Sequence, residues 1–479
     1  MFRRPFYETI KNERERMKGP KPQEILKIIE EKAAGSKSKK VLKKSLKYES
    51  PAHIYYTLFE CPPVVVKGLG AKVWDADGIE YLDMISGFAV HNIGYGRPEV
   101  VEAIKDACEK LIQYCELPHQ SRAELAQKLA EITPGKHEKK VYYGVTGGEA
   151  VEASMKFARY YTGRPMILSF YGGYHGRTFG AMNATSNAYM RYFQGFPLDI
   201  GVVHVPFAYC YRCIFGKTYP ECDMQCTKYV EDLLSSPQYG VSYTGEQVKV
   251  SSIAAILVEP MQAHAGYISP PREFLQNLRK IADENEILLI IDEIQTGWAR
   301  SGRLWACELS GVTPDVMTVA KSVAAGIPMS AVIARSEIMD ELGPAAHSTT
   351  FGGIPLAATV ALVVIDIIMK ERLWERAQKM GDRFIKGWRE LAEKYKIIGD
   401  VDGRGLFIGI ELVEDRKTKE PAAKKNKILQ TECFKRGLLY ERAGYHGNRV
   451  NLMPPLAIDE EDIDKSLEIF DKSLKAISK

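Results

Sequence analysis

Asp-Val-Met-Thr-Val-Ala-Lys-Ser-Val-Ala-Ala-Gly-Ile-Pro occupies residues 315–328, where an apolar run of strand character ends in Lys321 before a turn of small residues. A second such run, Leu-Leu-Ile-Ile-Asp-Glu-Ile-Gln-Thr-Gly at 288–297, ends in Asp292, Glu293 and Gln295. Short and wholly apolar runs are typical of strands that are buried on both faces of a sheet. The two stretches therefore predict a buried sheet that carries an acid at the end of one strand and a lysine at the end of another.

Strands alternate with helices on either side of these stretches, from about residue 95 to about residue 345. The predicted strands are Val141–Tyr143, Pro165–Phe170, Ala254–Glu259, Leu288–Asp292 and Val316–Val319. Such alternation favours a mostly parallel sheet with helices on both faces, which is the α/β class.

The length of 479 residues favours a large domain with a smaller companion. We predict a basic helical extension at 1–50, an N-terminal part of the small domain at 51–94, a large domain at 95–350, a bridging helix at 351–370 and a C-terminal α+β part of the small domain at 371–479. Within 51–94, the Asp77-Gly78 pair between alternating apolar residues predicts a hairpin.

The composition, 45% hydrophobic and 26% charged, is that of a globular protein and excludes the membrane and disordered classes. No apolar run approaches 18 residues, so we expect a cytoplasmic protein. The net charge of +4 is uneven, because residues 1–50 hold 15 Lys and Arg against 7 Asp and Glu. This basic arm fits a solvated amphipathic helix with a lysine-rich linker, and nucleic-acid binding is the alternative.

Nine cysteines are acceptable as thiols in a reducing compartment. Four of them, Cys210, Cys213, Cys222 and Cys226, have a C-x2-C-x8-C-x3-C spacing that is within reach of zinc or an iron–sulfur cluster. The alternatives are packed thiols in a tyrosine-rich loop, or a disulfide.

Lys321 is the candidate Schiff-base lysine of a pyridoxal phosphate (PLP) site, although a lysine after a strand is commonly a surface residue. Its neighbours are Val and Ala, and an apolar setting lowers the pKa of a lysine and makes its amine nucleophilic. Asp292 follows four apolar residues and needs a cationic partner. A protonated pyridine nitrogen is one such partner and an ordinary salt bridge is the other.

Two glycine-containing stretches could complete such a site. Gly147 and Gly148 precede a helical run, where backbone N–H groups can approach a phosphate, although such a pair is usually only a turn. The loop YGGYHGRT at 171–178 contains His175 and could lay Tyr174 against a flat cofactor. A simple aromatic anchor is the alternative for that loop.

Six ordered motifs give the chain its resemblance. Over about residues 55–475, the chain resembles the class III, omega-type aminotransferases of PLP fold type I. The motifs, in the family's order, are TGGEAVEASMKFAR, YGGYHGRT, LVEPMQ, LLIIDEIQTGWARSG, PDVMTVAKSVAAGIP and STTFGGIPLAA. The resemblance implies a homodimer with shared active sites, a PLP-binding large domain, and no nucleic-acid or membrane partner.

The motif positions imply a role for each residue. Lys321 would carry the cofactor and Asp292 would pair with its ring nitrogen, while Tyr174 would stack on the ring beside His175. The resemblance also implies that Gln295 bonds the phenolic oxygen, that Gly147 and Gly148 bind the phosphate, that Thr350 reaches the phosphate of the neighbouring subunit, and that Glu259 supports the site.

The chain departs from this family at two linked positions. The second glutamate of the usual Glu-Pro-Val-Gln-Gly-Glu-Gly-Gly is His264, and the strand arginine that this glutamate masks in relatives is Asn451. Arg449 lies two residues earlier, on the same face of the strand, and could substitute for it. Alternatively, His264 and Asn451 only form hydrogen bonds in the pocket without selecting a substrate.

These departures put exchange with 2-oxoglutarate in doubt. We expect transfer of an amino group from an ω-amine, a β-amino acid or a small amino acid to a keto acid, with pyruvate preferred. The alternative is an amino-acid racemase or epimerase of the same fold, in which His264 or a pocket tyrosine would be the second acid–base group.

Overall fold

The computed structural model describes residues 21–50, 52–53, 59–187, 201–236, 239, 241–244 and 249–477. Residues 1–20 of the predicted extension lie outside the described residues. The helices are α1 Pro22–Lys32, α2 Ser36–Tyr48, α3 Pro98–Lys110, α4 Gln120–Ile132, α5 Gly147–Thr162, α6 Phe179–Ala184, α7 Gln225–Ser235, α8 Arg272–Glu284, α9 Ser336–Asp340, α10 Pro355–Glu371, α11 Leu373–Lys394, α12 Ala423–Lys435 and α13 Glu460–Ile477. A kinked helical turn lies at Ser86–Ala89, and short 3-10 turns at Cys210–Arg212, Ala306–Leu309 and Lys321–Ala324.

The strands form four sheets. They are β1 Val65–Leu69, β2 Lys72–Asp75, β3 Glu80–Asp83, β4 Lys139–Gly144, β5 Met166–Phe170, β6 Val202–Val205, β7 Ser242–Thr244, β8 Lys249–Ser251, β9 Ile253–Val258, β10 Leu288–Asp292, β11 Val316–Val319, β12 Ser330–Arg335, β13 Ile398–Arg404, β14 Phe407–Leu412, β15 Leu438–Leu439, β16 Glu441–Ala443 and β17 Arg449–Leu452.

The seven-stranded sheet, in the order β4-β12-β11-β10-β9-β5-β6, is the centre of the large α/β part. Strands β6, β5, β9, β10 and β11 run parallel, and β12 is antiparallel to both of its neighbours. The predicted mostly parallel sheet is confirmed, with α/β architecture. Every residue of β9, β10 and β11 is buried, which explains their uninterrupted apolar sequences.

Two four-stranded sheets and the two-stranded sheet β7-β8 lie outside the central one among the described residues. The predicted hairpin at Asp77-Gly78 joins β2 to β3, and their sheet also takes in the short β15 from the C-terminal part of the chain. Strands β13, β14, β17 and β16 form a second antiparallel sheet. The N-terminal strands and the C-terminal segment therefore share a sheet, although more than 350 residues separate β3 from β15.

The described part of the basic extension is a helical pair that packs on the rest of the chain. Ile25, Ile29 and Leu42 form an apolar cluster with Cys61. The carboxylate of Asp77 accepts hydrogen bonds from the first backbone N–H groups of α2, where a negative charge is favourable. None of the described helices is long and apolar enough to cross a membrane.

Candidate active site

Lys321 directly follows the central strand β11 and opens a 3-10 turn. Its φ of 49° lies in the left-handed region, which is rare for a residue with a side chain. The turn is held by its surroundings, since Val323 and Ala324 are fully buried and the turn packs against α10. Such a strained position, fixed by the packing around it, is common at functional sites.

The amine of Lys321 lies among polar partners, and the residue is half-buried. Its Nζ donates a hydrogen bond to Oε1 of Gln295. Burial lowers the pKa of Lys321 to about 8, although the carboxylates of Glu441, Asp292 and Glu259 act in the opposite direction. An amine with this pKa is partly neutral near pH 7 and can act as a nucleophile or a base.

Asp292 is the last residue of β10, next to β11 in register with Thr318. One carboxylate oxygen lies 2.8 Å from Nδ1 of His175, and the other accepts the backbone N–H of Ile294 at 3.0 Å. Burial alone would lower the pKa of His175. The pKa is nevertheless raised, because Asp292 hydrogen-bonds the imidazole and the charges of Asp292 and Glu259 stabilise its protonated form. The strand end and His175 therefore hold this carboxylate in one position.

Glu259 follows β9 and ties two loops to the sheet. Its two carboxylate oxygens accept the backbone N–H groups of Tyr174 and Ala263, each at 2.9 Å. Burial raises the pKa of Glu259 to about 7, and the charge of Asp292 adds to this while His175 opposes it. This carboxylate therefore positions the loop that carries Tyr174 beside the loop that carries His264.

The glycine pair opens helix α5 at the same edge of the sheet. Thr146 caps this helix by accepting the backbone N–H of Glu149 at 3.3 Å. A Cβ atom on Gly147 would lie 3.1 Å from Ile294, and one on Gly148 would lie 3.3 Å from Thr178. The helix start therefore lies beside the ends of β10 and β11, and the two glycines have no side chain of their own to shield their backbone N–H groups.

These groups together fit PLP. The start of a 16-residue helix supplies N–H donors and a favourable dipole for a phosphate. A fixed carboxylate at Asp292 suits a protonated ring nitrogen, and Lys321 provides an amine whose pKa is lowered to about 8. Apart from Thr350, the residues assigned to the cofactor from the sequence lie on strand ends, loops and a helix start at one edge of the central sheet.

A family model described as Aminotransferase class-III matches residues 58–474. The chain belongs to the class III aminotransferases. It is 39% identical over 417 residues to the leucine/methionine racemase of Thermococcus litoralis, covering 86% of this chain and 90% of that protein. It is 35% identical over 415 residues to a probable 4-aminobutyrate aminotransferase of Bacillus subtilis, covering 86% of this chain and 93% of that protein.

Among solved structures, an (S)-enantioselective omega-transaminase from Thermomicrobium roseum superposes with a TM-score of 0.84 at 31% identity, covering 93% of this chain and all of that chain. The protein is thus an enzyme of a PLP-dependent family with the class III aminotransferase fold. This family contains both aminotransferases and racemases.

His264 lies beside Tyr174, with ring centroids 5.4 Å apart and planes inclined by 37°. Its Nε2 lies 2.8 Å from the amide nitrogen of Asn187. Burial lowers the pKa of His264 to about 4, and the charges of Arg177 and Lys321 act in the same direction. His264 is therefore a neutral imidazole at pH 7, close enough to Lys321 to be influenced by its charge.

Asn451 is fully buried on β17, opposite Glu441 of β16. Its Nδ2 donates to Oε2 of Glu441 at 3.3 Å, and its Oδ1 has no hydrogen-bond partner. Burial raises the pKa of Glu441 to about 7, while the hydrogen bond from Asn451 and the charge of Lys321 act against this rise.

Arg449 is placed outside the group around Lys321. Its guanidinium donates to Glu411 at 2.8 Å and to the Tyr209 hydroxyl at 3.0 Å, and the whole residue is buried. Glu411 is the direct strand neighbour of Arg449 on β14, which explains why the guanidinium turns to it. In this position Arg449 pairs with Glu411, and its substitution for the family's substrate arginine stays a prediction.

Thr350 is exposed on the surface of the chain. It lines a cavity of about 360 Å³ together with Cys115, Leu117 and Thr349. The neighbouring side chains Ile112, Tyr114 and Phe351 are exposed and apolar. The structure of a single chain does not bring Thr350 to Lys321.

The four cysteines of the predicted metal loop line one small cavity of about 20 Å³. Burial raises the pKa of Cys210 to about 12, and the other three cysteines add to this effect. Within the described part of the chain, no three His, Cys, Asp or Glu side chains are placed to hold a metal ion. All nine cysteines are free thiols. The four cysteines lie around one cavity, and the choice among metal, disulfide and packed thiols stays a prediction.

Two residues at this site, Tyr267 and Glu441, were not predicted from the sequence. The Tyr267 hydroxyl accepts a hydrogen bond from Gln295 at 3.0 Å, and its ring stacks on Phe407 with centroids 3.7 Å apart. Glu441 follows the apolar run Leu438-Leu439-Tyr440, as Asp292 follows its own strand. An acid directly after an apolar run was the signal that could have found Glu441.

Proposed function

We propose that the protein is a PLP-dependent aminotransferase that moves an amino group from an ω-amine, a β-amino acid or a small amino acid to a keto acid, with pyruvate preferred over 2-oxoglutarate. The supporting observation is the polarity around Asn451. A second carboxylate on the acceptor needs a cationic partner, but Asn451 is neutral, Glu441 is acidic and Arg449 is bound to Glu411. A small keto acid with one carboxylate avoids this conflict.

Each residue near Lys321 has a function in this reaction. PLP, when bound, supplies the electron-withdrawing ring that weakens the reacting C–H bond of the substrate. Asp292, held in position by His175, would face the ring nitrogen, and Lys321 would move the proton with an amine whose pKa is about 8. Gln295 and Tyr267 keep that amine oriented.

We further propose that a second copy of the chain covers the surface around Thr350. Exposure of a large apolar patch to water is unfavourable. The exposed apolar side chains near Thr350 are Ile112, Tyr114, Leu117 and Phe351. Sedimentation should give a dimer, and Leu117→Asp should weaken it; a wild-type monomer at micromolar concentration would contradict the proposal. The cytoplasmic location remains a prediction from the sequence.

An amino-acid racemase is the second candidate. Racemisation needs an acid–base group besides Lys321, and His264 is a neutral imidazole in the same pocket. The racemase of Thermococcus litoralis is a relative at 39% identity.

One enantiopure amino acid, incubated without a keto acid, separates the two reactions. For an aminotransferase, the cofactor should convert stoichiometrically to its amine form and the configuration of the remaining amino acid should be retained. Catalytic inversion that His264→Asn abolishes would establish racemisation and overturn the leading proposal.

A further inference from the structure

Glu441 and Asn451 form a buried polar pair to which no cation of the described residues is hydrogen-bonded. They face each other across the antiparallel strands β16 and β17. Asn451 has no exposed surface, and Glu441 retains 9%. The pair is therefore well enclosed, in a part of the molecule where an unpaired polar atom is costly.

The pairing within this site leaves one acceptor unsatisfied. Nδ2 of Asn451 donates to Glu441, while its Oδ1 is buried without a partner. Rotating the amide would not help, because the carbonyl oxygen would then face the carboxylate and the N–H group would lose its acceptor. The other hydrogen-bond partner of Glu441 is the hydroxyl of Tyr267, which is also neutral. The charge of Lys321 acts on Glu441, but both groups that hydrogen-bond this buried carboxylate are neutral, so Glu441 has no hydrogen-bonded ion pair.

The buried polar pair lies near the reacting amine. Glu441 has a larger effect on the charge of Lys321 than either Asp292 or Glu259 does. A chain of hydrogen bonds runs from Lys321 through Gln295 to Tyr267, whose hydroxyl also bonds Glu441. A short alkyl chain from the reaction centre would bring its far end to this site.

We infer that Glu441 and Asn451 bind a second ammonium group on the amino donor, so that the preferred donors are diamines or basic amino acids. An ammonium group has three N–H donors and no acceptor, which complements a carboxylate beside an unpaired carbonyl oxygen. This inference rests on the proposed aminotransferase function and specifies its donor class. Glu441 is a specificity-determining residue in this account, and Lys321 carries out the chemistry.

The test compares 1,5-diaminopentane with pentylamine as donors to pyruvate. The two donors differ only by the terminal ammonium group. The wild-type enzyme should favour the diamine by about tenfold or more in kcat/KM, mostly through KM, since a charge-assisted hydrogen bond to a buried group contributes this much. Equal values for the two donors in the wild-type enzyme would overturn the inference without any variant.

Glu441→Gln keeps the shape and removes the charge. It should lower the ratio of kcat/KM for the diamine to kcat/KM for pentylamine about tenfold, because any effect of the variant on Lys321 is shared by the two donors. Glu293→Gln is the matched control, because Glu293 is also a buried acid with a pKa raised by burial to about 7, but it bonds Thr296 and Cys307. The control should keep the donor ratio of the wild type.

The remaining outcomes are distinguishable. An equal loss for both donors in Glu441→Gln would assign Glu441 to the orientation of Lys321 and contradict donor recognition. If pentylamine and the diamine both fail to convert the cofactor to its amine form, the proposed function fails, and the donor class fails with it. Normal turnover with no diamine preference would contradict only the inference.

Discussion

Arg449 donates to Glu411 across 2.8 Å, and both side chains are enclosed within the sheet of β13, β14, β17 and β16. Because of this ion pair, the arginine of β17 is directed to Glu411 and not to Lys321. Breaking one partner of a buried pair leaves an uncompensated charge.

Glu411→Gln should therefore lower the free energy of unfolding by about 3 to 5 kcal/mol, measured by urea denaturation. The ratio of activity with pyruvate to activity with 2-oxoglutarate should not change. If the free energy of unfolding falls by less than about 1 kcal/mol and the KM for the keto acid changes, Arg449 contacts the substrate and the prediction is wrong.

Asp292→Asn should reduce kcat about a hundredfold or more, because a neutral amide cannot stabilise a protonated ring nitrogen in a buried site. Cofactor content, measured by absorbance after denaturation, serves as the control for binding. Near-normal kcat with full cofactor occupancy would show that the pairing of Asp292 with His175 is only structural.

Gly147→Ala should weaken cofactor binding, because its Cβ would lie 3.1 Å from Ile294 at the start of helix α5. We expect the Kd for PLP to rise about tenfold, which corresponds to the partial loss of one charge-assisted hydrogen bond. Gly343→Ala is the matched control, since a Cβ there meets nothing within 4 Å. Equal Kd values for the two variants would show that Gly147 does not contribute to phosphate binding.

The rate at which the cofactor-free protein captures PLP should rise with pH through about 8, where Lys321 loses its proton. Glu441 favours the protonated amine, so Glu441→Gln should lower this midpoint. Stopped-flow absorbance across pH 6 to 10 measures both profiles, and an unchanged or higher midpoint in the variant would contradict the electrostatic link.

The sequence predicted the central sheet and much of the site because local patterns determine them. Asp292 and Lys321 each end a buried apolar run, and neighbouring parallel strands then bring the two residues together. Glu441 was not predicted, because its proximity to Lys321 depends on how the C-terminal strands pair and on where Tyr267 lies.

Arg449 illustrates a second limit. Alternation along a strand correctly places it on the same face as Asn451, but the partner that its long side chain selects is set by the neighbouring strand β14. That pairing joins residues 38 positions apart, and only the assembled sheet reveals it.

The most direct test of the account measures kcat/KM for pyruvate and for 2-oxoglutarate with a single saturating amine donor. We predict that pyruvate is preferred by at least about tenfold, because the second carboxylate of 2-oxoglutarate would meet Glu441 and Asn451 without a free arginine. A clear preference for 2-oxoglutarate would contradict the central claim.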